Sequence, residues 1–431
     1  MAGIALTAYR MLSPLLPLAL QLLAPASPKL KAFADLRRNL FDELQRKLSA
    51  LPDPSCRIWV HAASVGEFEQ ARPVIAGLRE RYPGADVVVS FLSDSGYNTR
   101  KDFAGASLVF CLPLDTPAHA RELVRLLKPD VFLLMRYDFW PNHLAALRKS
   151  GAKLLLAAAV LQPDSPYRKP LLKGFYRDVF RLFDAIFTVS EQDAASFSGE
   201  FGCRKVTKAG DPRFDQVHAR ALTSGRENSR LKPLFRQRMV LVAGSTWQQD
   251  EAVVIPAWLA HRDRLSLVLV PHKVDPDNIA RICSDLERRE IGYARISSLP
   301  PSFDPQTQTL LVDETGYLAE LYSIASIAYV GGGFGVNVHN TLEPAVYGIP
   351  VLFGPRHGNS PEADGLLRAG AAEVVSDGKE LDTALDRFVG NPALLEVRGA
   401  LAAAFVQERL GATGIIAGAV EELCRGRKRP V

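Results

Sequence analysis

Apolar runs of strand length alternate with helical patterns along most of the chain, and this alternation restricts the fold more than any other feature. Six runs share this character in the first half: residues 57–61, 86–91, 109–112, 131–135, 153–158 and 185–189. Helical patterns lie between them, for example at residues 68–81, 118–127 and 143–149. This spacing is typical of βαβ crossovers and predicts an α/β domain with a mostly parallel sheet.

A second alternation follows a polar stretch at about residues 219–238, which we interpret as a domain boundary. Six further runs have strand character: residues 239–243, 266–270, 294–296, 309–312, 325–330 and 351–353. With 431 residues and 47% hydrophobic content, the rule of roughly 150 residues per domain allows two or three domains. We expect two α/β domains of similar size, and a final helical segment at about residues 395–424 that packs on the first domain.

The cysteines and the charge narrow the class of protein. The five cysteines are scattered, without a C-x-x-C pair or a His/Cys cluster at metal spacing: Cys56, Cys111, Cys203, Cys283 and Cys424. This pattern favours a reducing compartment and predicts no zinc site.

The net charge is +5, and basic residues gather near both ends: Lys29, Lys31, Arg37, Arg38, Arg425, Arg427, Lys428 and Arg429. Without interleaved aromatic residues these clusters suit an anionic surface better than a nucleic acid, and the C-terminal cluster also suits an ordinary solvated tail.

Residues 11–25 form the one strongly apolar tract outside the expected strands. They are too few to span a bilayer comfortably, because a spanning helix needs about 20 apolar residues. A signal peptide is an alternative, with Arg10 as its positive region and residues 24–26 as a poor cleavage site. We favour an uncleaved anchor on the membrane surface, since Lys29 and Lys31 follow the tract as a basic flank.

A glycine cluster at residues 331–335 follows the run at 325–330 and precedes a polar helix start at Asn340. The expected strand, loop and helix would bring backbone N–H groups and a helix N-terminus to the sheet edge where anionic ligands bind. The spacing fits neither G-x-G-x-x-G nor the Walker A pattern, so a nucleotide-sugar phosphate is the more natural ligand. Asn340 and Glu343 also have the spacing of a capping box, which is a purely structural alternative.

Three segments of the first half place polar side chains after strands. Glu67 follows the run at 57–61, where it would accept a proton from a hydroxyl nucleophile, although Ser64 and Glu67 also have capping-box spacing. Arg136 and Asp138 follow the run at 131–135, where their charges alternatively pair with each other. Arg213 lies in a turn after residues 205–208, for which an ordinary surface turn is the alternative.

Two segments of the second half have the same character. Gly244, Ser245 and Thr246 follow a strand, where N–H groups and hydroxyls would meet a phosphate, although Thr246 and Gln249 also have capping-box spacing. Pro271, His272 and Lys273 end the next strand, near an expected base or phosphate. We interpret the D-x-D pattern at 275–277 as a helix start rather than a metal site, because Pro276 and acidic residues favour helix N-termini.

Taken in order, seven motifs resemble the 3-deoxy-D-manno-octulosonic acid (Kdo) transferases over nearly the whole chain. They are residues 61–67, 138–142, 210–215, 244–246, 270–272, 331–332 and 339–344 with 353–355. The resemblance implies a GT-B fold, with two Rossmann-like domains facing across a cleft. It divides the chain into a membrane-associated segment (1–45), an acceptor domain (46–218), a donor domain (236–405) and a C-terminal helix with a basic tail (406–431).

The resemblance also implies an activity and its residues. The enzyme would transfer Kdo from CMP-Kdo to a lipid A precursor, lipid IVA, at the cytoplasmic face of the inner membrane, in lipopolysaccharide biosynthesis. Glu67 matches the general base and Arg213 a residue that stabilises the transition state. The implied donor contacts are Gly244, Ser245, Thr246, Pro271, His272, Thr315, Gly316, Tyr317, Gly332, Asn340, Thr341, Leu342 and Glu343. No metal and no cofactor is expected.

The chain departs from the family pattern at two positions. Many members have an acidic residue where Arg136 stands, so either Asp138 takes over its transition-state role or Arg136 contacts the substrate carboxylate. His272 stands where an arginine is common, which weakens a phosphate-clamping role for it. Two other classes stay open: a GT-B enzyme that uses a UDP-sugar on a lipid-linked acceptor, and a non-catalytic scaffold at the membrane surface.

Overall fold

The computed structural model describes residues 3–227, 231–235 and 238–426. They divide into two compact units, unit 1 (Met1–Gln216 and Leu410–Val431) and unit 2 (Val217–Arg409). Each unit contains a seven-stranded parallel sheet with helices. The α/β class predicted from the alternation is confirmed.

The sheet of unit 1 is built from the apolar runs identified in the sequence. Its strands are β1 (Cys56–Ala62), β2 (Ala85–Phe91), β3 (Leu108–Cys111), β4 (Val131–Met135), β5 (Lys153–Ala159), β6 (Ala185–Thr188) and β7 (Val206–Lys208). Their order is β3-β2-β1-β4-β5-β6-β7. Because β1 pairs with both β2 and β4, the strand order reverses there, which is where doubly wound sheets bind ligands.

Eleven helices belong wholly or in part to the first 227 residues. They are α1 (Ile4–Leu12), α2 (Leu16–Leu23), α3 (Pro28–Asp35), α4 (Leu40–Ser49), α5 (Val65–Arg81), α6 (Asp94–Arg100), α7 (Pro117–Leu127), α8 (Pro141–Ser150), α9 (Pro170–Phe180), α10 (Glu191–Gly199) and α11 (Pro212–Glu227). Hydroxyl side chains cap several of them, as Ser64 does for α5 and Thr116 for α7. Such caps satisfy backbone N–H groups that have no partner within the helix.

The N-terminal helix α1 is attached to unit 1 rather than free of it. The Tyr9 hydroxyl donates to Asp115 at 2.8 Å, and the Asn142 amide donates to the Ser13 hydroxyl at 3.0 Å. Ala5–Ala26 is nevertheless a helical stretch of 22 residues, long and apolar enough to cross a membrane, with 11% of its apolar window buried. It is therefore longer than residues 11–25 alone indicated.

The sheet of unit 2 follows a related plan. Its strands are β8 (Met239–Thr246), β9 (Leu265–Pro271), β10 (Gly292–Arg295), β11 (Gln308–Leu311), β12 (Ile327–Val330), β13 (Val351–Phe353) and β14 (Ala372–Val374). Their order is β10-β11-β9-β8-β12-β13-β14. The strand order reverses between β8 and β12, so the glycine cluster after β12 lies at the corresponding switch point.

The remaining helices complete the two units. They are α12 (Gln248–Leu259), α13 (Pro276–Arg288), α14 (Leu318–Leu321), α15 (Leu342–Ala345), α16 (Pro361–Arg368), α17 (Gly378–Gly390), α18 (Pro392–Gln407) and α19 (Ala412–Arg425). The final helical segment expected at 395–424 thus consists of two helices separated at Gly411, whose φ is +110°, and of these α19 belongs to unit 1 whereas α18 belongs to unit 2. Asp215 accepts the N–H groups of Gly411 and Thr413, both at 2.7 Å, at the start of α19. Arg427, Lys428 and Arg429 lie outside the described residues.

Helix α19 belongs to unit 1, where Ile416, Ala417 and Val420 join the same core cluster as α5 and one face of β1. A disulfide links Cys56 at the start of β1 to Cys424 in α19. The expectation that the scattered cysteines are all reduced is therefore wrong for this pair. The spacing gave no hint of it, because the two residues are 368 positions apart and meet only through the packing of α19.

Candidate functional sites

Glu67 lies in the first turn of α5, directly after β1. Its backbone N–H donates to the Ser64 hydroxyl at 3.4 Å, and its carboxylate accepts the Ala63 N–H at 2.5 Å. In a capping box, the Ser64 hydroxyl would accept the Glu67 N–H and the Glu67 carboxylate would accept the Ser64 N–H. The first of these two hydrogen bonds is present, and the second is not made to Ser64 but to Ala63. The Glu67 carboxylate instead supports the turn that connects β1 to α5.

Burial changes the acid–base character of Glu67, which is only 9% exposed. Burial raises the pKa of its carboxyl group above the ordinary value, and the nearby Asp138 raises it further, whereas the Ala63 N–H and His61 act in the opposite direction. Desolvation disfavours the charged form of a carboxylate. Glu67 therefore takes up a proton more readily than an exposed glutamate, as a general base requires.

Asp138 is held in place by contacts with two ring nitrogens. Its Oδ2 lies 2.8 Å from His61 Nε2 and accepts the Trp140 indole N–H, also at 2.8 Å. The other ring nitrogen of His61 contacts the Ser90 hydroxyl at 2.8 Å. Asp138 is thus paired with His61 and Trp140, and the alternative that it pairs with Arg136 is wrong.

Arg136 belongs to a separate cluster around the buried carboxylate of Asp211. Its Nε donates to Gln70 Oε1 at 2.9 Å, and a terminal guanidinium nitrogen lies 3.8 Å from Asp211. Arg213, in the first turn of α11 rather than a surface turn, donates to the same carboxylate at 2.9 and 3.0 Å. The Gln70 amide donates to it at 3.2 Å. Two guanidinium groups thus approach the same buried carboxylate.

The structure adds three residues to this site that the sequence analysis left without a role: His61, Gln70 and Asp211. Gln70 follows Glu67 by three positions, so both lie on one face of α5, a spacing that was available as a signal. Asp211 stands two residues before Arg213 in the motif at 210–215. The site thus collects residues that follow β1, β4 and β7 at one edge of the sheet.

Unit 2 has a cavity of about 270 Å³ at its own switch point. Five residues expected to contact a ligand line it: Ser245, His272, Gly316, Asn340 and Glu343. Six lining residues were not anticipated: Arg220, Leu318, Ala319, Tyr322, Val330 and His339. Arg220 lies in the stretch that we had interpreted as a linker, where a long polar segment gave no sign of a binding role.

Asp250 is fully buried and connects the glycine cluster after β12 to the start of α12 by hydrogen bonds. Its carboxylate accepts the N–H groups of Gly332 at 2.8 Å and Trp247 at 2.9 Å, and the Tyr329 hydroxyl at 2.8 Å. It therefore replaces Gln249 as the residue that caps the start of α12. The Thr246 hydroxyl donates to Glu251 at 3.2 Å instead.

Glycine is required at two positions of this turn. A Cβ on Gly331 would collide with the backbone of Ser245, and Gly332 has a φ of +95° with its Cβ position against the backbone of Asn337. Only glycine combines a positive φ with so close an approach of two backbones. The helix expected after the cluster is short, since α15 has four residues, and Asn340 accepts the Leu342 N–H at 3.1 Å rather than forming a capping box with Glu343.

Three aromatic rings stack beside the cavity. The rings of Trp247 and His272 are 4.7 Å apart, and those of His272 and His339 are 4.3 Å apart, all nearly parallel. Lys273 Nζ lies 5.2 Å from the centre of the Trp247 ring. Burial lowers the pKa of His272, with a further contribution from Lys273, and burial likewise lowers the pKa of His339. A lowered pKa favours the neutral form of each imidazole, and the stacked rings provide a flat surface next to a polar cavity.

Charged residues face the opposite part of this cavity. The Arg220 guanidinium donates to Glu320 at 2.6 and 2.9 Å and to the Gly316 carbonyl at 3.0 Å. Burial lowers the pKa of Arg220, but the hydrogen bond and charge of Glu320, with a contribution from Glu343, outweigh it and raise the pKa overall. Arg220 is thus a fixed cation beside Glu343.

The other residues expected to bind the ligand do not line the cavity. They are Gly244, Thr246, Pro271, Thr315, Tyr317, Gly332, Thr341 and Leu342. Thr246, Thr341 and Leu342 are fully buried, and the N–H of Gly332 is already bonded to Asp250. Gly244 and Thr246 flank Ser245, and Thr341 and Leu342 lie between Asn340 and Glu343, so these four belong to the segments that carry lining residues.

Sequence comparison relates the chain to one family. A profile of the family described as 3-Deoxy-D-manno-octulosonic-acid transferase (kdotransferase) matches residues 36–216. The chain is similar to 3-deoxy-D-manno-octulosonic acid transferases of Chlamydia trachomatis serovar A (30% identity, 69% of this chain and 70% of the relative) and of Bordetella pertussis (28%, 85% and 87%). The similarity thus extends through both units.

Structural comparison supports the fold. UDP-GlcNAc 2-epimerase from Neisseria meningitidis, bound to UDP-GlcNAc, superposes with a TM-score of 0.59 at 15% identity, over 85% of this chain and 100% of that one. A glycosyltransferase from Rickettsia africae gives 0.55 at 11% identity, over 86% and 99%. Together with the two parallel sheets, this likeness confirms the predicted GT-B fold class.

Proposed function

Because this chain belongs to the 3-deoxy-D-manno-octulosonic acid (Kdo) transferase family of glycosyltransferases, we propose that it transfers Kdo from CMP-Kdo to a lipid A precursor, lipid IVA. The observation that carries the proposal is the buried Glu67 carboxylate, with its raised pKa, at the switch point of unit 1. The cavity at the switch point of unit 2 is the proposed donor site.

Glu67 acts as the general base in an inverting displacement. A primary hydroxyl oxygen of the acceptor sugar attacks the anomeric carbon of Kdo as the bond from that carbon to the CMP phosphate oxygen breaks. The hydroxyl proton passes to the Glu67 carboxylate, and the electron pair of the broken bond leaves with CMP. Deprotonation of the hydroxyl during attack is what a positioned carboxylate with a raised pKa supplies.

The cations of unit 1 stabilise negative charge during the reaction. Arg136 and Arg213 both approach the carboxylate of Asp211, which places two guanidinium groups where they would stabilise the charge of the Kdo carboxylate or the leaving phosphate. Asp138 is already fixed by His61 and Trp140. We therefore assign substrate contact to Arg136 and Arg213, and a role in orienting the groups around Glu67 to Asp138.

The donor site recognises CMP through three kinds of contact. The stacked rings of Trp247, His272 and His339 form a surface for the base or ribose, and Asn340 offers a polar contact in the same cavity. The carboxylate of Glu343 accepts hydrogen bonds from ribose hydroxyls. No step of this mechanism uses a metal or a cofactor.

The N-terminal helices hold the enzyme at the cytoplasmic face of the inner membrane. Large apolar side chains of α2 are exposed, among them Leu18 at 56% and Leu22 at 72%, and Lys29 and Lys31 follow. Each lysine near anionic lipid contributes about 1 kcal/mol of attraction.

The decisive experiment incubates the protein with lipid IVA and CMP-Kdo generated in situ and weighs the product by mass spectrometry. We expect a mass increase that corresponds to added Kdo. A thermal-shift series with CMP and UDP tests the donor independently, with stabilisation by CMP expected. Stabilisation by UDP alone, with no Kdo product, would instead support the UDP-sugar alternative.

A further inference from the structure

Unit 1 contains a cavity away from Glu67, with a volume of about 730 Å³. It is larger than the cavity at the switch point of unit 2. Its walls come from α2, α3, the start of α4 and the loop that follows β3, and most of the lining residues are apolar, including Pro17, Leu20, Phe41 and Leu114. Ligand cavities are typically about 300–1,000 Å³ and lined mainly by apolar side chains. The size and lining therefore fit a sizeable apolar ligand.

The apolar surface of this cavity continues on the outside of the protein. Helix α2 contributes Pro17 and Leu20 to the cavity wall, while Leu18 and Leu22 of the same helix are exposed to solvent. Exposed apolar surface of this kind marks contact with a membrane or another apolar partner. A lipid acyl chain that leaves a bilayer at this surface reaches the cavity on the other side of helix α2.

The polar part of the lining is mainly cationic. Lys31, Arg37 and Arg38 line the cavity together with one acid, Asp35. Arg38 pairs with Asp35 at 2.6 Å where both side chains are exposed, so that pair contributes little. Lys31 is exposed. Arg37 pairs with Asp94 at 3.4 Å, so Lys31 is the cation of this lining that an anionic group such as a phosphate would meet.

Arg37, expected from the sequence to face an anionic surface, is instead mostly buried and connects the cavity to the loop of Glu67. Its guanidinium donates to the carbonyls of Leu112 at 2.7 Å and Leu92 at 2.6 Å. The next residue, Ser93, donates its N–H to the Ala63 carbonyl at 2.9 Å. Ala63 in turn donates to the Glu67 carboxylate.

The distance between cavity and base suits one amphiphilic molecule. The cavity lies after β3, and β3, β2 and β1 are adjacent strands. Neighbouring strands are about 4.8 Å apart, so two spacings separate the ends of β3 and β1 by roughly 10 Å. Both ends lie at the same edge of the sheet. A sugar with an attached acyl chain covers this distance.

We propose that this cavity holds an acyl chain of the acceptor, an anionic sugar lipid, with Lys31 beside its phosphate and its reacting hydroxyl at Glu67. The inference rests on the proposed function for the identity of the lipid. It assigns to α2, α3 and the loop after β3 a role in selecting acylated acceptors.

Binding is tested on the full chain with a fluorescently labelled long-chain lysophosphatidic acid, measured by anisotropy. Ala34→Phe fills the cavity, and Ala32→Phe is its matched control, because Ala32 is exposed on the same helix and does not line the cavity. We expect at least about tenfold weaker binding for Ala34→Phe and no change for Ala32→Phe. Equal affinities in the two variants overturn the proposal.

The charge is tested with Lys31→Gln against Lys101→Gln, since Lys101 is an exposed lysine of unit 1 that does not line the cavity. We expect Lys31→Gln to weaken binding of lysophosphatidic acid severalfold and to leave the binding of lysophosphatidylcholine unchanged. Inorganic phosphate should not displace the labelled lipid. Displacement by phosphate, or wild-type binding that is equal for both lipids, contradicts an acyl chain with an anionic head group.

A transfer assay separates this proposal from the proposed function. In Ala34→Phe the KM for the acylated acceptor should rise about tenfold, while the KM for a deacylated acceptor stays unchanged. If the wild-type chain transfers no Kdo to either acceptor, the proposed function fails, and the lipid-binding result still decides whether the cavity takes an acyl chain. Parallel increases in both KM values overturn the acyl-chain role.

Discussion

The two units place different chemistry at the same point of a similar sheet. In unit 1 the switch point between β1 and β4 carries charged side chains, namely Glu67, Arg136 and the Asp211–Arg213 pair. In unit 2 the switch point between β8 and β12 carries a glycine turn, stacked rings and a cavity.

Under the function proposed above, this difference separates two tasks that one fold supports. Proton transfer needs a desolvated ionisable group with fixed neighbours, and unit 1 supplies Glu67 with Asp138 and His61 around it. Recognition of a nucleotide needs close backbone approach and flat surfaces, and unit 2 supplies Gly331 and the ring stack. The fold positions both sites, but the residues after the strands decide what each one does.

The largest expected effect tests whether unit 1 performs the chemistry. Glu67→Gln removes the proton acceptor but keeps the size and the Ala63 hydrogen bond, so turnover should fall by about 100-fold or more while CMP affinity stays near wild type. Glu69→Gln is the matched control, because Glu69 lies on the same helix and pairs with Arg72 and Arg100 instead. Near-normal turnover in Glu67→Gln would limit Glu67 to support of its turn.

The second effect tests whether unit 2 binds the donor. Glu343→Ala should weaken CMP binding by about tenfold or more, since a charge-assisted hydrogen bond contributes roughly 1.5–3 kcal/mol. Calorimetric titration measures the affinity, and the melting temperature should fall only slightly. Glu396→Ala, at an exposed position of α18, serves as control. Unchanged affinity together with a clearly lower melting temperature would show that Glu343 is structural.

The third effect tests the backbone approach in unit 2. Gly331→Ala should destabilise the protein by about 1–3 kcal/mol, because the added methyl group forces the Ser245 backbone away. Gly390→Ala, where the added Cβ meets nothing within 4 Å, should be neutral or stabilise helix α17 by up to about 1 kcal/mol. Denaturant unfolding of both variants compares them. Equal stabilities would remove the steric argument for glycine.

The smallest effect uses two neighbouring glutamates with opposite pKa shifts. Burial raises the pKa of Glu67, so its contribution to stability is present below the unfolded-state pKa and is lost as pH rises through the folded-state value. Burial also raises the pKa of Glu69, but the Gln216 amide and Arg72 outweigh it, and the pKa is lowered overall. Its contribution is therefore present at neutral pH and lost on acidification.

Melting temperatures measured from pH 4 to pH 7 check these signs. Relative to wild type, Glu67→Gln should become more stable as pH rises, whereas Glu69→Gln should become less stable. The same trend in both variants would contradict the assigned environments. Activity of the wild type should rise with pH through the raised pKa of Glu67, since only the carboxylate accepts a proton.

Local patterns predicted most of the fold. Runs such as 131–135 and 351–353 coincide with β4 and β13, because buried strands need continuous apolar residues. The strand β14 was not predicted, since its three residues include Glu373 and form no apolar run. The helix after the glycine cluster was expected to start at Asn340, but it starts at Leu342, because Asn340 closes a turn with Leu342 that no periodicity reveals.

The sites were predictable where one short segment carries the signal. Glu67 and Glu343 each follow a strand within a recognisable motif, and both line or adjoin the sites described above. Gln70 and Asp211 meet across 141 positions, and Arg220 reaches Glu320 across 100. Such contacts depend on which strand ends become neighbours, and no local sequence pattern predicts the order of the strands in a sheet.

The place of α19 in unit 1 has a consequence for the order of events during synthesis. The apolar face of α5 is covered by Ile416, Ala417 and Val420, which the ribosome makes only after the whole of unit 2. At about 5–20 residues per second, this delay lasts roughly ten to forty seconds. Throughout that interval the part of the unit 1 core that α19 covers has no α19 to pack against, so all of unit 2 is synthesised before unit 1 can be completed.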